Sequence, residues 1–196
     1  MSDTLHPASD TAPRAAFTSF EESTSDDWQI IAKQLPTTQA MAGENIIAQL
    51  RMLARDHGGF PVSRLEHSLQ TAARAENDGR DEEYVLCALL HDIGDTLAPY
   101  NHPSIAAGIV KPFVSEANHW MVEHHGIFQG YYFWHHIGLD RDARDHYRDS
   151  PYYDHTEEFC AKYDQTAFDP DYVSPDLGHY EPLIRAYFVP TGDGAG

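Results

Sequence analysis

The chain has 196 residues with 31 Asp and Glu against 13 Lys and Arg, a formal charge of -18 that argues against nucleic acid or an anionic membrane surface as a partner. That length suits one domain with a full core, and no stretch approaches the roughly 18 apolar residues of a membrane span. Cys87 and Cys160 lie in apolar patterns with no second thiol nearby in sequence, as in a reduced, cytoplasmic protein without a leader.

Residues 1–24, rich in Ser, Thr, Asp, Pro and Ala, read as a flexible arm, residues 25–189 as a single domain, and residues 190–196 as a tail. Ser25 caps a short helix that Pro36 ends. Thr37 or Thr38 then caps a longer one, with Ile46, Ile47, Leu50 and Leu53 on one face and Gly58-Gly59 as its stop. Ser63 opens a helix carrying His67 that ends near Asn77-Asp78-Gly79. A helix from Asp81 to about Asp92 has Glu82 and Glu83 at its positive end. Asn101-His102-Pro103 opens the next helix, which Pro112 interrupts, and another runs from about Val114 to His125. Gly126 to Gly138, dense in aromatics, reads as a hydrophobic loop or pocket wall, and Arg141 to Asp149 as a solvated charged stretch. Ser150-Pro151 opens a helix through Phe159, Cys160 and Tyr163 with Asp164 in its last turns, and Tyr180 to Phe188 is the final helix. No strand alternation competes with these periods, so the fold class is all-α.

The chemistry concentrates at Val85-Leu86-Cys87-Ala88-Leu89-Leu90-His91-Asp92, where an imidazole and a carboxylate follow an apolar run. Such a run is buried all round, and the polar pair at its end would be costly unless paired or bound, most simply by a metal ion. His67, His91-Asp92, His102, His125 and Asp164, from separate segments, can converge in a helical bundle. Mixed imidazole and carboxylate donors suit iron, manganese, zinc or cobalt better than a thiolate-seeking metal.

His67, then adjacent His91-Asp92, then distant Asp164 resembles the signature of the HD-domain superfamily of metal enzymes, an all-α bundle around a metal site. His102 and His125 lie where dinuclear members place their extra ligands, which implies two metals bridged by Asp92. Within the superfamily the chain resembles the oxygenase branch, the myo-inositol oxygenases and the phosphonate-cleaving HD oxygenases. The similarity rests on Leu65-Glu66-His67-Ser68-Leu69-Gln70-Thr71-Ala72, Leu89-Leu90-His91-Asp92-Ile93-Gly94, Met121-Val122-Glu123-His124-His125 before Trp134-His135, Phe159-Cys160-Ala161-Lys162-Tyr163-Asp164 and Tyr180-Glu181-Pro182-Leu183-Ile184-Arg185-Ala186-Tyr187.

The resemblance implies His67, His91, Asp92, His102, His125 and Asp164 as ligands of two irons, with His91 and Asp92 at the catalytic heart. It further implies a mixed-valent Fe(II)/Fe(III) pair with O2 as co-substrate, cleaving a C–C or C–P bond of a small polar hydroxylated substrate. The chain departs from the inositol enzymes in placing Asp95 where they have a lysine. It departs from the phosphonate enzymes in placing His57 and Phe60 where they have a tyrosine and a glutamate. Neither substrate therefore carries over.

His124 competes with His125 as a ligand, or stands behind it. Gln129, Tyr132, His135 and His136, with Tyr131 and Trp134, are candidates for binding substrate, and Lys111, Lys162 and Arg64 are the cations that would meet an acidic group. The alternative activity is a metal-dependent HD phosphohydrolase acting on a phosphate ester or nucleotide. Residues 81–110 contain no Lys or Arg, which weighs against it. A non-catalytic sensor is a third reading.

Overall fold

The computed structural model describes residues 12–55 and 57–189; residues 1–11 and 190–196, the first half of the expected arm and the expected tail, lie outside the described residues. Among the described residues the regular structure is entirely helical. The described residues divide into two compact units, one of residues 12–42 with Val189, the other Gly43–Phe188.

In the first unit the helix α1 (Ser25–Ala40) follows a 3-10 turn at Phe20–Glu22. Thr24, one residue before the expected cap, accepts from the Asp27 amide while the Asp27 carboxylate accepts from the Thr24 amide, a reciprocal capping box. Phe17, Phe20 and Trp28 close ring contacts over this start. Pro36 does not end the helix as expected: α1 runs on to Ala40, forgoing the one amide hydrogen bond that a proline removes.

The second unit contains α2 from Gly43 onward (the helix is Ala42–Leu53), α3 (Arg64–Asn77), α4 (Glu82–Leu90), α5 (His102–Val110), α6 (Glu116–Phe133), α7 (Tyr153–Phe159) and α8 (Leu177–Tyr187). The centre is α4, where Leu86, Cys87, Ala88, Leu89 and Leu90 are fully buried. It packs against α3, α5, α6 and α8, so its all-round apolar surface has a neighbour on every side. Its ends match the sequence reading, with Asp81 accepting from the Tyr84 amide at the start and His91 standing at the C-cap. Ser63 and Glu66 form a second capping box at the start of α3, and Gly79 (φ 79°) turns the chain after it. The ion pairs Arg51–Glu181 and Arg185–Glu44 lace α2 to α8.

Two segments differ from expectation. The aromatic stretch after His125 is the expected pocket wall but not a loop: α6 runs to Phe133, followed by a 3-10 turn at Trp134–Ile137, and Ile127, Gln129, Tyr132, Phe133 and Trp134 line a cavity. Its glycines serve close packing, since a Cβ on Gly126 would lie 3.3 Å from Pro103 and one on Gly130 would lie 2.3 Å from the Trp134 ring. Nor is Arg141–Asp149 wholly solvated, because Ala143–Tyr147 is a 3-10 turn whose Arg144 is buried, its guanidinium 3.7 Å from the centre of the Tyr131 ring. Both cysteines are free and buried, and among the described residues no helix is long and apolar enough to cross a membrane.

Because α4 is the common neighbour, Leu89→Ala should cost about 2–5 kcal/mol of unfolding free energy by leaving a cavity there. Denaturant unfolding at fixed metal content measures this.

Candidate metal centre

Five segments deliver their side chains to one point. His67 comes from the first turn of α3, His91 and Asp92 from the end of α4, and His102 from the first residue of α5. His125 lies midway along α6, and Asp164 ends a π-helical turn, Cys160–Asp164, that continues α7. One wide turn shifts the side-chain register of everything after it, a feature frequent at functional sites. His67, His91, Asp92, His125 and Asp164 are all buried, and His102 is partly exposed.

The atoms that meet are the Nε2 nitrogens and the carboxylate oxygens. His67 Nε2 lies 3.1 Å from His91 Nε2 and 3.2 Å from Asp164 Oδ1. Asp92 Oδ2 faces both of these imidazoles at 3.4 Å. Its other oxygen, Oδ1, faces His125 Nε2 at 3.1 Å and His102 Nε2 at 3.2 Å. One carboxylate thus divides the other five side chains into two sets, His67 and His91 on its Oδ2, with Asp164 against His67, and His102 and His125 on its Oδ1.

These contacts have the dimensions of a coordination shell. Donors about 2.1 Å from one ion, at angles of roughly 90–110°, lie about 3.0–3.4 Å apart. Main-chain carbonyls fix the tautomers: His67 Nδ1 donates to Ala167 O at 3.0 Å, His91 Nδ1 to Ala88 O at 2.8 Å, and His125 Nδ1 to Val122 O at 2.7 Å. Each ring's free lone pair is then on Nε2, aimed inward, the arrangement that orients metal-bound histidines. Two Nε2 lone pairs 3.1 Å apart repel unless a cation or a proton sits between them. The donor set, all nitrogen and oxygen, fits iron, manganese, zinc or cobalt.

The electrostatics point the same way. Burial works against a charged His67, but the hydrogen bonds and charges of Asp164 and Asp92 outweigh it and raise its pKa from 6.5 to about 10. Against the same burial, Asp92 and Asp95 raise His102 to about 9, and Asp92 and Asp164 raise His91. Burial opposes the charged forms of Asp92 and Asp164 as well, and their imidazole neighbours nevertheless hold both below the ordinary carboxylate range. The cluster draws positive charge to itself, as protons or as metal ions.

A cavity of about 750 Å³ opens beside the cluster, lined by His67, Asp92, His102, His125 and Asp164 and walled by Phe60, Tyr132, Phe133, Trp134 and Phe168. Of the remaining candidates, Gln129 and Tyr132 line it, and Gln129 Nε2 donates to Asp164 Oδ1 at 2.9 Å. His124 turns away, its ring stacked on Trp120 with centroids 3.9 Å apart and its Nδ1 donating to Trp120 O, so His125 is the histidine that joins the cluster. His135 and His136 lie on the 3-10 turn after α6, outside the cavity lining. Lys111 is exposed, and Lys162 is held by Glu158 and Asp78; neither lines the cavity. Arg64 does line it, but its guanidinium is paired with Asp95.

The sequence reading missed the part played by Asp95, which is buried and accepts from His102 Nδ1 at 3.1 Å. The available signal was its place directly after Gly94. A Cβ on that glycine would lie 2.7 Å from His102 O, so the turn after His91-Asp92 and the start of α5 are in contact there.

Without metal, the raised imidazoles stabilise the fold fully below their ordinary value of 6.5, and that contribution is lost as pH rises through about 9 for His102 and about 10 for His67. The melting temperature of chelator-treated protein should therefore fall as pH rises across this window, more steeply than that of metal-loaded protein. Metal affinity should weaken as pH is lowered, because ions must displace those protons.

The family model of the HD domain matches residues 64–164. A 1-hydroxy-2-(trimethylamino)ethylphosphonate dioxygenase (glycine-betaine-forming) from Leisingera caerulea is 56% identical over 36 residues, a stretch spanning 18% of this chain and 18% of the length of that protein. The matched span begins on α3 just before His67 and closes on Asp164, enclosing the whole cluster, and the chain belongs to the HD domain family.

Proposed function

We propose that the chain is an HD-domain diiron oxygenase that uses O2 to cleave a C–C or C–P bond in a small hydroxylated molecule. The observation that carries this reading is the two-sided Asp92, with His67 and His91 on one oxygen and His102 and His125 on the other. A one-metal centre would leave the second pair of imidazoles without a task. The dioxygenase similarity supports the oxygenase branch.

His67, His91, Asp164 and Asp92 would hold one iron, and His102, His125 and the other oxygen of Asp92 the second. Bound iron would supply Lewis acidity toward a substrate oxygen and redox chemistry with O2. The second set has fewer protein donors and includes His102, the most exposed of the ligands, so a substrate hydroxyl is best received on that side. Gln129 holds the Asp164 carboxylate in place through its amide. Phe168, stacked on His67 with centroids 4.3 Å apart, and Phe60 beyond it screen the cluster from water.

The cavity also bears on substrate class. Its aromatic walls suit a methylated cation, which binds over ring faces. Among the lining residues the Arg and Lys complement is Arg64, already engaged by Asp95, which makes a phosphate ester the less favoured occupant. The dioxygenase relative's compound carries a hydroxyl, a trimethylammonium group and a phosphonate, so hydroxylated quaternary ammonium compounds, with and without a phosphonate, are the first to assay.

Protein produced in iron should contain about two irons per chain and give a spin-coupled Fe(II)/Fe(III) EPR signal after partial reduction by ascorbate, with O2 consumed when substrate is added. One metal per chain, or hydrolysis of phosphate esters without O2 uptake, would replace this reading with the phosphohydrolase. His102→Ala should lower iron to about one per chain and abolish O2 uptake, and retention of two would sink the dinuclear assignment.

A further inference from the structure

Asp95 belongs to neither set above, although it lies close enough to Asp92 and His102 to share an ion, and it is buried between Arg64 and His102. We propose that Asp95 is a positioning residue for the second ion, setting the His102 ring through an Arg64–Asp95–His102 chain. This rests on the dinuclear reading above and asks what controls one half of it.

The four imidazoles are not aimed in the same way. Those of His67, His91 and His125 are oriented by main-chain carbonyls at 2.7–3.0 Å, so the fold itself fixes them. His102 is different. Its main-chain contact, Pro99 O, is 3.4 Å away, longer than an ordinary N–H···O bond, whereas Asp95 Oδ1 is 3.1 Å from the same Nδ1. Its side chain is also the most exposed of the four, at 24%. Without Asp95, little would hold the ring with Nε2 on Asp92.

Asp95 is itself held from behind. The turn after α4 closes by a hydrogen bond from the Asp95 amide to Asp92 O, which brings both carboxylates to the same side. Arg64, the first residue of α3, takes Asp95 Oδ2 and leaves Oδ1 for His102. The guanidinium lies over the Phe60 ring, 5.1 Å from its centre, which braces the far end of the chain. A carboxylate behind a ligating histidine is a recurrent way of fixing its tautomer and raising its basicity. Asp95 stands on the Nδ1 side of the ring, opposite the nitrogen that faces Asp92, the side from which a carboxylate orients His102.

The test is anaerobic equilibrium dialysis against graded Fe(II), with bound iron measured per chain and thermal melts confirming that each variant folds. In Asp95→Ala the first iron should bind as in wild type while the second binds roughly 10–100-fold more weakly. Asp95→Asn, which keeps an acceptor for His102 Nδ1, should recover part of that loss. The double variant Asp95→Ala/His102→Ala should bind no more weakly than His102→Ala alone, because the two act through one ligand. Unchanged binding of both irons in Asp95→Ala, or equal weakening of both, would overturn the proposal. So would an Asp95→Asn loss as large as that of Asp95→Ala, which would assign Asp95 to direct ligation. If wild type binds fewer than two irons, the dinuclear reading fails before Asp95 is tested; if wild type binds two and His102→Ala one, only the role of Asp95 is at stake.

Discussion

A buried carboxylate with different company on each oxygen is the constraint from which the rest of the structure follows. Asp92 is almost wholly withdrawn from water, and burial of an ionised carboxylate is costly unless positive charge or hydrogen-bond donors surround it. The chain answers by bringing four imidazoles to its two oxygens, from the ends of α3, α4 and α5 and the middle of α6. Those imidazoles carry free lone pairs on the nitrogens that face it. The cluster is therefore a shell built around positive charge.

Precision in that shell comes from the backbone. Carbonyls of Ala88 and Val122, each three residues before the histidine they orient, fix two rings within their own helical turns, and Ala167 fixes a third from across the fold. The π-helical turn before Asp164 has no counterpart in ordinary helical spacing and changes which way that carboxylate faces. His102 lacks a short main-chain bond of this kind. Its ring is met instead by a side chain, Asp95, with Arg64 behind it.

Charge gives the cavity its character as well. Arg64, its one Arg or Lys among the described lining residues, is engaged by Asp95, and the walls are largely aromatic. A hydroxylated molecule with a neutral or methylated cationic end suits such a space better than a polyanion does.

The sequence by itself determined the helical class, because apolar residues at helical spacing and the caps Ser63 and Asp81 are local signals. It also singled out the six side chains that converge, because an imidazole and a carboxylate at the end of a fully apolar run demand partners and the other histidines and Asp164 supply them. Local signals misjudged Pro36, which a helix can absorb, and Gly126 and Gly130, which look like breaks but admit Pro103 and Trp134. Only the tertiary structure decided between His124 and His125, since neighbours on one helix point to different sides and the choice rests on what lies there, Trp120 for one and Asp92 for the other. It alone paired Arg64 with Asp95 across 31 positions and separated Lys111 and Lys162 from the cavity, because charge on a surface or in a pocket is set by packing and not by spacing along the chain.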